Sequence, residues 1–441
     1  MRSYSSFKPE LWLVYGFLLL IAAGALALWG IGELVGRPLD PIDALFTATS
    51  AVCVTGLSTV DVGTALPLPS QLVLLLLIQL GGLGVMAATT SFYLMLGAKV
   101  GFKERLAWAE SMGLDTPRGA IRLLLLVIRV SLIAETVMAV PLFVGFARRE
   151  GAVRGAYMAI FHSISAFCNA GFSPYSDSLV SFATEPLVML PITVLIVVGG
   201  LGFPVLDDVL KSVRSRRWRP SSYTRVVLTF TPVLILLGSV VFLLGEINGV
   251  LRDMPWPHKL INALFMSVTP RTAGFNSVPL GRMSGVSLLF TSFLMWVGAN
   301  PSSTGGGVKV TTFAVLWSSC TSEIRGRSDV CLARRHVDWR TQRKAITVAV
   351  LYTLAVFVAV FMLAVFEPEV DISSLVFEAI SAMGTVGLSL GVTPHLSPDG
   401  KMVLIFLMYW GRVGIVTFLY SIFRRHEPGR VSLPNLDMPI G

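Results

Sequence analysis

The hydropathy pattern along the chain resolves into long apolar runs that recur in pairs, each pair enclosing a short apolar segment. The first members of the pairs cover residues 11–29, 123–146, 226–245 and 345–366. The second members cover residues 72–96, 187–206, 286–316 and 402–423. An apolar run of about 20 residues is long enough to cross a bilayer as a helix. The enclosed segments, such as residues 42–50, are far too short to cross and read as re-entrant helices. Non-helical backbone at membrane depth is tolerated only where it is buried in protein or lines a cavity. The pattern predicts an all-α polytopic membrane protein of four fused repeats, each running span, pore helix, filter strand, span around a central ion pore. That makes eight transmembrane helices and four re-entrant pore helices. The expected units are a lead at 1–10, repeats at 11–100, 118–212, 222–320 and 343–425, and a tail at 426–441.

The enclosed segments are copies of one another. They read FTATSAVCVTGL from Phe46, FHSISAFCNAGF from Phe161, FMSVTPRTAGF from Phe265 and FEAISAMGTVGL from Phe377. Each has Ser or Thr four residues after the Phe, at Ser50, Ser165, Thr269 and Ser381. Each then reaches a glycine followed by Leu or Phe. The Ser/Thr-to-Gly step is 6 residues in the first, second and fourth copies and 5 in the third. The glycines lie 115, 103 and 113 residues apart, a quasi-regular fourfold repeat. Thr385-Val386-Gly387 is the start of a carbonyl-lined filter of the kind that replaces an ion's hydration shell. Where four backbones meet around an axis, a Cβ would block the approach or the backbone conformation, so glycine is the residue expected there. The candidate filter is therefore Val54-Thr55-Gly56, Asn169-Ala170-Gly171, Thr272-Ala273-Gly274 and Thr385-Val386-Gly387.

Composition agrees with a lipid solvent: 54% of residues are hydrophobic and 14% charged, which excludes an ordinary soluble domain of this length. The charge places the ends. Of the 35 Lys and Arg, 23 fall in the N-terminus, the loops 99–122, 211–225 and 325–344, and the tail at 424–430. Nine lie in the opposite loops, and Arg129, Lys309 and Arg412 remain within the runs. The positive-inside rule then puts both termini and the loops between repeats in the cytoplasm. A net charge of +9 could suggest a nucleic-acid partner, but these charges sit in short loops beside spans. No nucleic acid is expected, and anionic lipid headgroups and a cytoplasmic partner are the better counterparts. The first run, with Ala25-Leu26-Ala27 near its end, also resembles a signal peptide. Its length, and the loss of the first repeat's outer helix on cleavage, favour a retained span.

Within this frame, Asp40-Pro41-Ile42-Asp43 is a strong helix start. Pro257 in the third copy, and Asp371 or Ser373 in the fourth, are weaker ones. Each pore helix points its partly negative C-terminus toward the filter, which favours a cation. The second runs of repeats one and two carry Gly81-Gly82-Leu83-Gly84 and Gly199-Gly200-Leu201-Gly202. No βαβ unit surrounds them, so they are read as sites of close helix packing or of a bend, with room for an ion vestibule as the other reading. The third repeat's second run is interrupted by Asn300-Pro301-Ser302-Ser303-Thr304-Gly305-Gly306-Gly307-Val308-Lys309. A regular helix is not expected through Pro and three glycines. An unwound segment just below the filter reads as a gate, with Asn300, Ser303, Thr304, Gly305, Gly306, Gly307 and Lys309 as its candidate residues, or as a structural kink. Arg412 stands where repeats one and two have their glycine pair. An arginine there would repel cations from the axis, or be a structural charge satisfied by a salt bridge or by carbonyls. Arg129, with Glu135 six residues on, is read as structural or interfacial. Four cysteines and five histidines show no metal-ligand or catalytic spacing, and no enzyme is expected.

These motifs together resemble the potassium-transporter superfamily that contains the bacterial Trk and Ktr translocation subunits and the plant HKT proteins. The resemblance spans residues 11–423, and the chain's direct start on repeat one is closest to the KtrB type. It implies a potassium-translocating subunit of a bacterial uptake system in the plasma (inner) membrane, with K+ as the transported ion. It also implies a homodimer, a cytoplasmic ring of nucleotide-binding, KtrA-like regulatory subunits, and Na+ as an activator. Glycine at all four filter positions, Gly56 included, implies potassium selectivity, since serine at the first position goes with sodium. The third copy, one residue short and carrying Pro270-Arg271, departs from the pattern. The alternative is a coupled secondary transporter with broken helices meeting at the midplane, which would call for acidic residues in the spans beyond Glu135 and Glu378.

Overall fold

The computed structural model describes residues 9–84, 120–216, 218–415 and 418–419. Most of the lead, most of the basic loop 99–122, the inner ends of the runs 72–96 and 402–423, and the tail 426–441 lie outside the described residues. The remainder is predominantly helical. Each repeat contributes a long apolar helix, a short buried helix and a second apolar helix. In the first repeat these are α1 (Pro9–Val35), α2 (Pro41–Val52) and α3 (Leu68–Leu83). In the second they are α4 (Ala120–Glu150), α5 (Ala152–Phe167) and α6 (Pro186–Gly200), followed by α7 (Phe203–Arg214). In the third they are α8 (Ser222–Glu246), α9 (Trp256–Val268) and α10 (Gly285–Trp296), with α11 (Val310–Ile324) beyond a non-helical crossing. In the fourth they are α12 (Trp339–Phe366), α13 (Ile372–Gly384) and α14 (Pro398–Val413).

Among the described residues, α1, α4, α8 and α12 are long and apolar enough to cross a membrane, and α6 with α7 forms a bent pair that makes up to five. At most 33% of any long helix's apolar window is buried inside the protein. The apolar faces left over, Leu19 and Phe357 among them, have no protein cover here and suit lipid. The short helices are the reverse. Their leading phenylalanines Phe46, Phe161, Phe265 and Phe377 are fully buried and form the centre of the core.

The expectation of full-length second spans needs correction. In repeats one, two and four the second helix breaks at a glycine, and in repeat three it stops at Trp296 before the crossing loop. Gly84, Gly202 and Gly414 follow α3, α6 and α14 with φ of +90° and ψ near that of a strand, a conformation that L side chains rarely adopt. In repeat two the chain turns through 100° there. The glycine series was thus both things expected of it, a packing site and a bend. A second departure lies in the basic loop 325–344, which folds as a small antiparallel hairpin of Cys331–Leu332 on Arg335–His336.

One packing rule closes the molecule. The second helix of each repeat lies against the short helix of the next: α3 on α5, α6 on α9, α10 on α13, and α14 back on α2. The outer face adds a tie at the seam, where Lys401 Nζ meets Asp43 Oδ1 at 2.7 Å, joining the last repeat to the first. Asp40 accepts from Ile42 N at 3.2 Å and Asp371 from Ser373 N at 3.0 Å, so two of the three predicted helix starts are side-chain caps, while the helix carrying Pro257 starts without one. The Ser373 side chain, hydrogen-bonded to the Asp371 carboxyl, is the main cause that holds that exposed group below the usual carboxylate range.

Candidate functional site: a ring of four glycines and the loop that crosses beneath it

Each short helix ends in a segment with one backbone signature. The residue two before the glycine is left-handed, and so is the glycine: Val54 and Gly56, Asn169 and Gly171, Thr272 and Gly274, Thr385 and Gly387. The Ser or Thr recognised in each copy builds this shape. Its carbonyl accepts from the residue before the glycine, Thr55 N to Ser50 O at 2.8 Å, Ala170 N to Ser165 O at 2.7 Å, and Val386 N to Ser381 O at 2.8 Å. The third copy absorbs its missing residue by letting Thr269 O accept from both Ala273 N at 2.9 Å and Gly274 N at 3.4 Å. The side chains then split into two pairs. Ser50 and Ser381 accept from the glycine N–H at 3.0 and 3.1 Å. Ser165 and Thr269 instead donate to the carbonyl just past the glycine, at 2.8 and 2.6 Å.

The four segments close a ring in the order of the repeats. A Cβ on Gly56 would stand 2.4 Å from Ala170 O, and one on Gly171 2.5 Å from Ala273 O. One on Gly274 would stand 2.3 Å from Val386 O, and one on Gly387 2.1 Å from Thr55 O. No side chain fits at any of the four positions without moving the neighbouring backbone. The residues around the ring are buried, and the hydroxyl oxygens of Thr55 and Thr385 have no hydrogen-bond partner. Helix C-termini from all four short helices run into this ring, each bringing partial negative charge.

The glycines of the second helices admit the short helices' ends. A Cβ on Gly81 would meet Val52 O at 2.1 Å, on Gly199 Phe167 O at 2.0 Å, and on Gly411 Met383 O at 2.1 Å. Each contacted carbonyl is at the C-terminus of its own repeat's short helix.

Between α10 and α11 the chain crosses the ring on the side of the second helices' C-terminal ends. The crossing is pinched at its neck by Gly298 N to Val308 O at 2.8 Å and Val310 N to Ala299 O at 3.2 Å. Its far part rests on repeat two, where Gly200 O accepts from Asn300 N at 3.2 Å and Asn300 Nδ2 at 2.9 Å. Ser302 O accepts from Phe203 N, and Pro301 O from Tyr223 OH. Ser303 Oγ closes the turn on Asn300 O at 2.6 Å. Thr304 donates to Phe167 O at 3.2 Å. Gly305 and Gly306 then pass directly under two ring threonines. A Cβ on either would lie 2.0 Å from Thr272 Oγ1 or 2.2 Å from Thr385 Oγ1. Gly307 takes a positive φ of 69°, and Lys309 folds back so that Nζ donates to Gly305 O at 2.7 Å and Gly306 O at 3.1 Å.

Arg412 completes the arrangement. Its guanidinium donates to Thr304 O of the crossing loop and to Gly81 O and Gly82 O of repeat one, the last at 3.3 Å. These carbonyls satisfy its charge, and it ties repeat four to the loop of repeat three and the helix of repeat one. Arg129 is exposed on α4, while Glu135 accepts from Gln79 Nε2 at 3.1 Å. Cys53 and Cys168 are buried beside the ring.

All twelve residues of the four glycine segments meet in one place, and the loop from Asn300 to Lys309 lies against them with Arg412. Sequence reading missed two supports. Glu246 and Glu367, at the ends of two long helices, accept from the N-capping Ser284 N at 2.8 Å and Ser397 N at 2.7 Å, fixing where the second helices start. The breaking glycines, already read as a possible bend, carry their signal in a further Gly three residues after the packing glycine in repeats one, two and four. The Lys401–Asp43 pair, 358 residues apart, carried none.

A chain of apolar helices closed into a fourfold ring, with helix C-termini converging on it, is the architecture of a multi-pass membrane protein built to pass cations. The family model TrkH, described as a cation transport protein, matches residues 19–432, and the chain belongs to that family, which is one of transporters and not of enzymes. Within it the chain is of the KtrB type. It is 39% identical over 437 residues to the Ktr system potassium uptake protein B of Bacillus subtilis, covering 99% of this chain and 97% of that one. It is 37% identical over 398 residues to the protein of the same description from Vibrio alginolyticus, covering 90% and 87%. It is also 37% identical over 418 residues to the potassium/sodium uptake protein NtpJ of Enterococcus hirae, covering 92% and 90%. The fold matches the solved structure of the potassium transporter TrkH from Vibrio parahaemolyticus with a TM-score of 0.77 over 96% of this chain and 87% of that one, at 20% identity.

Proposed function

We propose that the protein is the potassium-translocating subunit of a bacterial Ktr/Trk-type uptake system, with the glycine ring as its selectivity filter. The observation that carries the reading is the cyclic approach of each glycine to the next repeat's carbonyl, which holds four backbones too close for any side chain. Val54, Thr55 and Gly56, with their counterparts at 169–171, 272–274 and 385–387, would offer carbonyl and threonine oxygens to a dehydrated K+. The loop from Asn300 to Lys309 is the gate, and Arg412 is its latch. The latch is electrostatic as well as mechanical, because a guanidinium just inside the ring raises the barrier for a cation until it moves with the loop.

The relatives' descriptions as Ktr system components support a multi-component assembly. We read the chain as a homodimer in the plasma membrane, with both termini and the basic loops facing the cytoplasm. There they meet anionic lipids and a KtrA-like ring that carries the nucleotide, with Na+ as activator. The repeat boundaries at 11–100, 118–212, 222–320 and 343–425 are the functional units of this reading.

The test is K+ against Na+ flux in liposomes holding the purified protein, beside Gly56→Ser and Gly387→Ser. The expected result is K+-selective flux that loses selectivity in both variants. Serine variants that fold and stay as selective as the parent would remove the filter assignment. Absence of selective flux even with a regulatory ring added would remove the transport reading.

A further inference from the structure

The residue after the leading phenylalanine of each short helix differs in every repeat: Thr47, His162, Met266 and Glu378. All four are fully or almost fully buried. Two of them reach outward to the serine that stands two residues past the glycine. In repeat four, Glu378 Oε1 accepts from Ser389 Oγ and from Leu390 N at 3.1 Å, and Oε2 accepts from Thr393 Oγ1 at 2.8 Å. Ser389 Oγ in turn accepts from Gly391 N at 2.9 Å. In repeat two, His162 Nε2 pairs with Ser173 Oγ at 3.0 Å. Its Nδ1 faces the carbonyl of Met158 at 2.8 Å, which only accepts, so Nε2 of the neutral ring is the acceptor of the serine proton. Ser173 Oγ also accepts from Tyr175 N at 3.1 Å.

The other two repeats have no such link. Thr47 Oγ1 is without a partner, Met266 has nothing to offer, and the matching Ser58 bonds within its own loop to Val60 O at 2.6 Å. Repeats two and four are diagonal in the ring. The chain leaving the filter is therefore stapled to its pore helix on two opposite walls and free of that staple on the two between.

The Glu378 staple is the stronger of the two. Three donors converge on its one carboxyl group, where the His162 ring holds a single serine. Together with Ser381 Oγ, which accepts from Gly387 N, it holds residues 387–393 at both ends. Gly387 is the glycine whose approach to Thr55 O closes the ring between the last repeat and the first.

We propose that Glu378 is a positioning residue for ion selectivity, acting with His162 across the ring to fix the filter's outer exit. It touches no ion. It sets the spacing of carbonyls that do. This rests on the filter assignment above and adds which side chains hold the filter's width.

The test measures the K+/Na+ flux ratio, not flux alone, in liposomes with matched amounts of monodisperse protein. Glu378→Gln places an amide NH2 where one accepting oxygen was, and the ratio is expected to fall about tenfold. Glu378→Asp should recover part of it, and His162→Ala should lower the ratio by less than Glu378→Gln. Met266→Leu, the same position in a wall without the staple, should leave the ratio unchanged. Should Glu378→Gln not fold, the double variant Ser389→Ala/Thr393→Val removes both side-chain bonds from the other side, leaving only that of Leu390 N, and is expected to lower the ratio in the same direction. A folded variant of either kind that keeps the parental ratio overturns the inference. A parent chain without selectivity overturns the filter reading instead, so the two failures are told apart.

Discussion

Repeats three and four begin their second helices alike and end them differently. Both α10 and α14 are capped by a serine, Ser284 and Ser397, whose N–H is held by the carboxylate of the preceding long helix. Twelve residues on, α10 stops at Trp296 and the chain crosses under the ring, whereas α14 runs on to Val413 and breaks only at Gly414. The outer halves are scaffold in both cases. The inner halves are where one wall of a repetitive structure departs from the others, and Pro301 with Gly305, Gly306 and Gly307 is the sequence change that goes with it.

The largest effect expected from breaking this difference is on flux. Deleting residues 303–306 removes the stretch that lies under Thr272 and Thr385, and K+ flux should rise roughly tenfold while control by a cytoplasmic partner weakens. Unchanged flux together with unchanged control, measured in liposomes with and without that partner, would make the crossing a structural kink. A smaller rise, roughly fivefold, is expected from Arg412→Ala, which frees Thr304 O, Gly81 O and Gly82 O from a charged donor. A folded Arg412→Ala protein with parental conductance would confine the arginine to a structural role. The smallest effect probes the shared outer halves. Ser284→Ala and Ser397→Ala should each cost about 1 kcal/mol, read as a lowered Tm, with no change in flux. A large flux change from either would mean the two halves are not separable.

Much of this arrangement was legible from local chemistry. The short helices and their filter segments follow from four phase-matched Phe, Ser/Thr and Gly positions, because the hydroxyl residue's carbonyl and side chain shape the turn that the glycine completes. The unwound crossing follows from proline and glycine alone. What stayed hidden depends on partners far apart in the chain. Nothing local says that Arg412 will find the carbonyls of Gly81 and Gly82, or that Lys401 will find Asp43. The lengths of the second helices were overestimated because an apolar run continues through Gly84, Gly202 and Gly414, and hydropathy does not register a reversal of φ. The hairpin at residues 331–336 was missed for the opposite reason: its strands are two residues long and carry no alternation to read.

The ring is made by a single polypeptide, and that has a consequence for how such a pore can change. In an assembly of four identical subunits, a substitution at a filter glycine alters every wall at once. Here Gly56, Gly171, Gly274 and Gly387 are separate codons, and each alters one quarter of the ring. On the filter reading proposed above, a change at one of these codons would alter ion preference through a single wall.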